Sequence, residues 1–252
     1  MTNKNDFLLL ILQQIGRLQR SGQAILRGDD VEALHDFRVA LRSLRTLLPL
    51  VLLRRKPVDD ALLQAWRSLA KLSNAPRDAE VMLSLVGTNL SEAQRQSLQQ
   101  NYNIGVNHLQ TILTSLLLKT LCTNTRLQVQ HRLSNINQRQ LKHRIQCQQA
   151  ELCQSLLAAN NNAAPKLREW HQRRIIIKQL RYLNELASDW LSPTPIDLLP
   201  ALKTAQASLG NLQDQFVLKQ WLNSANIKKN HRKSAVRDWN KLIHTLKASR
   251  SA

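Results

Sequence analysis

An all-α fold is predicted by three observations. Apolar residues recur with helical period nearly everywhere, and no segment alternates convincingly with period two. Glycine and proline number only 6 and 7 in 252 residues, too few for a turn-rich β fold or a Gly-cradled nucleotide site. Hydrophobic residues make up 43% of the chain, which excludes a disordered basic tail and supplies a core that needs no disulfide or metal.

The elements follow in order. A first helix covers about 5–26 and is stopped by Gly28. Asp29 or Asp30 caps a second helix over about 31–55, ended by Pro57 or kinked or finished earlier by Pro49. A third covers about 59–72, and the Ser73-Asn74-Ala75-Pro76 break leads into a fourth over about 77–86. Ser91 opens a long helix to about 121. Residues 122–137 are polar and irregular in pattern, the expected connector. Helices resume over about 138–159, 166–190, 196–209, 213–223 and 230–248. Asn160-Asn161-Asn162 and Ser192-Pro193-Thr194-Pro195 separate them.

Charge narrows the function. Lys and Arg number 36 against 17 Asp and Glu, giving +19 and an isoelectric point near 10.8. A folded protein so cationic is expected to meet a polyanion. Aromatics are only 4%, which weakens any model built on stacked bases. Cys122, Cys147 and Cys153 are odd in number and lack metal-site spacing, so reduced thiols in a cytoplasmic setting are expected. The apolar run 7–12 follows Lys4 and Asp6 without a small-residue cleavage site, and reads as the first turns of an amphipathic helix rather than a signal peptide. The stretch 109–121 is interrupted by polar residues, well short of the roughly 18 apolar residues of a spanning helix. A soluble protein without a membrane partner is expected.

The decisive feature is an internal repeat. One helix carries His35-Asp36-Phe37-Arg38, then Arg42 and Arg45. A later one carries His171-Gln172-Arg173-Arg174, then Lys178 and Arg181. Each is a His followed by cations at i+3, i+7 and i+10, and the two sets lie 136 residues apart. Asp78 and Asp214 share that offset, as do Val81 and Val217. One offset serving two motifs implies two copies of a four-to-five-helix unit, about 5–125 and 131–250.

At about 100° per residue, i, i+3, i+7 and i+10 fall within about 80° of a helix wheel, in a stripe about 15 Å long. Phe37, Leu41, Leu44 and Leu48 form the opposite, core face of the first helix; Ile176, Ile177, Leu180 and Leu183 do so in the second. Like charges at these spacings repel by a few tenths of a kcal/mol per pair. Asp36 is a single counter-charge off the axis of the first stripe, and Gln172 offers none in the second. Such a stripe is best explained by an anion that binds it.

His35-x-x-Arg38-Val39-x-x-Arg42-x-x-Arg45 and His171-x-x-Arg174-Ile175-x-x-Lys178-x-x-Arg181-Tyr182 resemble the paired signatures of the CHAD family, the conserved histidine α-helical domain. Arg77-Asp78 with Val81, and Gly210-Asn211-x-x-Asp214 with Val217, resemble its second motif pair. The second copy has Gln213 in place of Arg77, and Arg173 in place of Phe37. The resemblance covers essentially the whole chain, read as one CHAD domain over 1–252. It implies two helical bundles related by a pseudo-twofold axis, with both stripes lining a shared basic groove. It also implies non-catalytic binding of inorganic polyphosphate, localisation to polyphosphate granules, and a CYTH-type triphosphatase or granule proteins as partners. The Glu-x-Glu-x-Lys signature of those triphosphatases does not occur here, nor does a Walker-type Gly loop or a kinase signature set.

The chemistry fits that ligand. A phosphate chain has no base or sugar to read, so a line of cations suffices, and Arg can grip two oxygens at once. Arg38, Arg42, Arg45, Arg174, Lys178 and Arg181 are the expected phosphate contacts, with His35 and His171 as further donors and Tyr182 as an extra one. Arg77, Asp78 and Asp214 are additional or structural; for the two Asp, capping a helix or orienting an Arg comes before a ligand role. No metal or other cofactor is expected, since neither Asp brings a second ligand at suitable spacing. Two rivals remain: a nucleic-acid-binding helical protein, which shares the charge requirement, and a phosphotransfer or hydrolytic enzyme using His35 or His171, which no carboxylate pair accompanies.

Overall fold

The computed structural model describes residues 3–28, 30, 32–86, 91–161, 167–191, 198–222 and 229–251. Every regular element among them is helical. The chain forms two compact units, 1–141 and 142–252.

In the first unit, α1 (Lys4–Arg27) opens on a capping box between Asn3 and Asp6 and closes on Gly28. Gly28 has φ of 70°, the left-handed conformation that glycine adopts without strain, and its N–H donates to the Ala24 carbonyl. Phe7, Ile11, Ile15 and Leu18, about one turn apart, are fully buried. They belong to the helix that packs most closely on α2 (Ala33–Val51), whose Phe37, Leu41, Leu44 and Leu48 are buried too. Each such side chain contributes on the order of 1.5–3 kcal/mol. Pro49 sits in the last turn of α2 without breaking it, and the helix ends four residues before the expected 55.

Pro57 opens α3 (Pro57–Leu72), where its missing N–H costs nothing. The buried Asp59 accepts hydrogen bonds from Leu53 N, Gln128 Nε2 and Arg132 Nε at 2.7, 2.6 and 2.9 Å. Trp66 Nε1 donates to Thr125 Oγ1 at 3.0 Å. Both contacts tie α3 to the helix of residues 116–134. Next come α4 (Asn74–Val86) and α5 (Glu92–Thr114), the latter capped by Ser91 with Gln94. Gly105 on α5 lets Pro76 approach so closely that a Cβ there would lie 2.8 Å from Pro76 Cδ.

The expected connector 122–137 is instead largely helix: α6 is Leu116–Ser134. The chain turns earlier, at Ser115, whose extended backbone (ψ 159°) ends α5 and whose hydroxyl caps α6. Leu118, Cys122, Thr125, Val129 and Leu133 form the buried stripe of α6. Two of those positions hold a thiol and a hydroxyl while Leu116, Leu117 and Leu127 are exposed, so the apolar pattern is blurred. The following α7 (Gln138–Ala158) spans the boundary between the units.

The second unit contains α8 (Leu167–Leu186), α9 (Leu198–Leu222) and α10 (Lys229–Ser251), with α8 and α10 both packed on α9. The helices expected over 196–209 and 213–223 are one continuous α9. Gly210 costs a helix about 1 kcal/mol, and burial of its neighbours Leu209 and Leu212 outweighs that. On the core face of α8, Ile177, Leu180 and Leu183 are buried and Ile176 half-buried. Arg173 is 3% exposed: its guanidinium lies 4.6 Å from the Trp170 ring centroid and 4.4 Å from that of Trp239, and it donates to the Ala159 carbonyl. A desolvated cation between two indoles thus fills the station that Phe37 fills 136 residues earlier.

The cap at Asp29, a helix start at Val31, the Asn162 end of the Asn run, the Ser192–Pro195 separator and a helix end at Asn223 lie outside the described residues, as does the side chain of Val217. Among the described residues no helix is long and apolar enough to cross a membrane.

Candidate functional site

In the first unit, α2 presents His35, Arg38 and Arg42 half-buried and Arg45 exposed. Asp36, the counter-charge within the α2 motif itself, turns away to pair with Arg17 of α1 at 2.7 Å. The stripe therefore does not receive it.

Arg38 turns onto the junction between α3 and α4. Its Nη1 donates to the carbonyl and hydroxyl of Ser73 and to Asn74 Oδ1. Ser73 is itself buried and anchored to the Ala70 carbonyl. Arg38 is thus the bracket that fixes the start of α4, and hence Arg77 and Asp78, against α2. Burial chiefly, then neighbouring Arg42, lowers its guanidinium to about 10; Asp78 opposes the shift, while Arg77 and Arg45 add to it. These causes identify the neighbours: Arg38, Arg42, Arg45 and Arg77 form one cluster with Asp78 beside it. Arg77 also pairs with Glu80 at 2.7 Å. Asp78 sits one turn into α4, near an arginine it can hold.

Arg45 is likewise lowered, by partial burial of its guanidinium first, then by Arg67 and by Arg42. The influence of Arg67 on α3 exceeds that of Arg42 on Arg45's own helix. Arg67 is a member of this cluster that reading α2 alone misses. Its signal in the sequence is the offset: 136 residues beyond Arg67 stands Lys203.

In the second unit, His171 is exposed and Arg174, Lys178 and Arg181 are half-buried along α8. The Arg174 guanidinium lies over Gly210 of α9, where a Cβ would meet Nη2 at 3.6 Å. Those two residues stand 136 beyond Arg38 and Asn74, which touch in the first unit. Asp214 is half-buried one turn further along α9. Arg181 donates to Glu185 Oε1 and Gln206 Oε1, both at 2.9 Å, and its guanidinium lies 4.5 Å from the ring centroid of Tyr182. Lys203 Nζ approaches the same Glu185 oxygen at 3.5 Å. Tyr182 is buried, so it supports Arg181 from below.

Both arrangements concentrate guanidinium groups on packed helices whose core faces hold them in place. Such donors suit anionic oxygen, and the charge already present favours a multivalent ligand. Among the described residues no three His, Cys, Asp or Glu side chains gather as a metal-holding group.

A family model described as the CHAD domain matches residues 9–223. The crystal structure of the CHAD domain from the plant Ricinus communis superposes with a TM-score of 0.74 at 20% identity, covering 98% of this chain and 92% of that one. No curated protein matches the chain.

Proposed function

Because this chain belongs to the CHAD family, we propose that it binds inorganic polyphosphate, without converting it chemically, through the cationic stripes of α2 and α8. Polyphosphate binding is associated with the family. The observation that carries the reading for this chain is the clustering of Arg38, Arg42, Arg45 and Arg77, where burial first and then the neighbouring arginines lower Arg38 to about 10. At neutral pH that guanidinium is still charged, so the cluster is held together against its own repulsion. A phosphate chain relieves the repulsion at several positions at once, and two stripes give a long chain two places to attach.

Arg42, Arg45, Lys178 and Arg181 supply the direct phosphate contacts, with His35 and His171 at the ends of the stripes. Arg38 and Arg174, folded against the next helix, fix the spacing, together with Asp78, Asp214 and Tyr182. The tryptophans favour this reading over single-stranded nucleic acid. Trp66, Trp170, Trp190 and Trp239 are all buried, which removes four of the five from service as base-stacking platforms. Binding of this kind would recruit the protein to cytoplasmic polyphosphate granules and bring it beside granule proteins or a CYTH-type triphosphatase.

The test is a competition series with long polyphosphate, short polyphosphate, RNA and duplex DNA at matched phosphate concentration. Every ligand weakens with salt through counterion release, so the ranking decides and the salt dependence does not. Polyphosphate is expected to outcompete RNA at about 150 mM salt. Equal or better binding of RNA refutes the proposal. Replacing Arg42 and Lys178 together by Glu is expected to abolish binding in a folded protein.

A further inference from the structure

The two units treat corresponding cations differently. In the second, Glu185 stands between Arg181 and Lys203, its Oε1 at 2.9 Å from one and 3.5 Å from the other. The residues 136 positions earlier are Pro49, Arg45 and Arg67. In the first unit, then, the same pair of cations stands on two helices that pack together, α2 and α3, but the carboxylate between them is replaced by a proline. Among the described residues neither Arg45 nor Arg67 has a side-chain hydrogen bond or an ion pair, and each is the other's electrostatic neighbour.

We infer that the space between Arg45 and Arg67, beside Pro49, is an anion subsite that takes a phosphate group of the bound polyphosphate, and that Glu185 is an internal occupant of the corresponding place in the second unit. This rests on the polyphosphate reading and deepens it: the two stripes are unequal. Glu185 shows what the geometry holds, an oxygen anion shared between an Arg and a second cation reached from the neighbouring helix. Pro49 is one turn beyond Arg45, as Glu185 is one turn beyond Arg181, so both point along the same stripe of their helix. A proline in the last turn contributes no charge and no long side chain, leaving the arginines open to a ligand. In the second unit a phosphate must displace Glu185 before it gains Arg181 and Lys203. The first unit is therefore the stronger phosphate grip, and Arg67 is a contact residue that no stripe on α2 contains.

Four variants of the full chain test this against long polyphosphate by fluorescence anisotropy. Arg67→Ala removes a charge-assisted contact and is expected to weaken binding about tenfold. Its salt slope should also fall by about 0.7, one phosphate contact on a single-stranded polyanion. Pro49→Glu gives the first unit the carboxylate of the second and is expected to weaken binding by a similar factor. Glu185→Gln frees Arg181 and Lys203 and is expected to strengthen binding several-fold. Arg139→Ala, an exposed charge on α7, reports loss of background charge alone and is expected to change affinity less than twofold. If Arg67→Ala binds no more weakly than Arg139→Ala, the subsite is overturned while the polyphosphate reading stands. If the wild-type chain does not bind polyphosphate, that reading fails first. Should Pro49→Glu not fold, Arg67→Ala with its salt slope decides alone.

Discussion

Replacing Asp59 by Asn removes one charge from the centre of the first unit without changing side-chain size, and its effect follows from the contacts. Asp59 is fully buried and accepts from the Leu53 amide, from Gln128 and from two nitrogens of Arg132, the second at 3.3 Å. An amide keeps one acceptor oxygen, while its NH2 faces a donor. At least one of these partners loses its bond, and Arg132 loses its counter-charge. Breaking a buried pair costs about 3–5 kcal/mol; Arg132 keeps about a fifth of its side-chain surface in water, so the low end, about 3 kcal/mol, applies. In a domain of this size that lowers Tm by about 6–12 °C.

The pH dependence sharpens the test. Burial alone would raise the Asp59 carboxyl, but the hydrogen bonds from Leu53, Gln128 and Arg132, with the charge of Arg132, outweigh it and hold it below its ordinary value. A carboxyl lowered on folding stabilises the protein above its unfolded pKa, about 4, and loses that contribution as pH falls through the folded value. Urea unfolding followed by circular dichroism should therefore show a gap of about 3 kcal/mol between wild type and Asp59→Asn at pH 6, narrowing below pH 4. A gap under about 1 kcal/mol at pH 6, or one that stays constant down to pH 3, would refute the assignment of Asp59 as a charged anchor.

Gly105→Ala places a Cβ 2.8 Å from Pro76 Cδ and 3.0 Å from its backbone nitrogen, so the start of α4 must move. Overpacking of about 1–3 kcal/mol exceeds the roughly 1 kcal/mol gained in helix propensity, so a lower Tm is expected, with weaker polyphosphate binding because Arg77 and Asp78 follow Pro76. Gly210→Ala, whose new methyl meets Arg174 at an ordinary contact distance, is the control: with no clash to offset the roughly 1 kcal/mol of helix propensity, its Tm should rise by about 2–4 °C. Burial raises the Cys122 thiol to about 11, leaving about one thiolate in a thousand at pH 8. Alkylation read by mass spectrometry should label exposed Cys147 in the native protein, and Cys122 only after unfolding.

What could be read from the residues and what could not divides along physical lines. The α2 and α8 faces were legible because a helix with leucines on one side and cations on the other leaves one orientation to choose. Phe37, Leu41, Leu44 and Leu48 are all buried as expected. Helix ends were less legible. Gly210 carries the residue type of a stop, but its flanking leucines are buried, and tertiary packing overrides local propensity. Ser115 carries no break signal beyond its capping hydroxyl, so the helix opened by Ser91 reads through it to about 121 and the rest of α6 reads as a connector. The cluster's membership depended on packing as well: nothing in α2 says that Arg38 turns inward to Ser73, or that Arg67 arrives from α3. Those facts belong to α3 and α4 meeting α2, a relation no single helix encodes. The 136-residue offset, a property of the sequence, sets Arg67 opposite Lys203 as it sets Arg45 opposite Arg181.

Arg38 and Arg45 show how the first unit tolerates its own charge. Each guanidinium is pushed below its ordinary value, first by burial and then by other arginines, so folding works against these groups. The opposing forces are nearby and specific: three acceptors on Ser73 and Asn74 hold Arg38, and Asp78 balances it. Among the described residues Arg45 and Arg67 have no such acceptors. Strain left uncompensated at an exposed position is energy that a ligand recovers on binding, because a phosphate supplies the acceptors and the counter-charge together. In the second unit Glu185 already supplies a counter-charge to Arg181 and Lys203. Overall charge brings a polyanion to both units, but the pair of Arg45 and Arg67 gains counter-charge and acceptors from phosphate together, and it is there that a bound chain should be held longest.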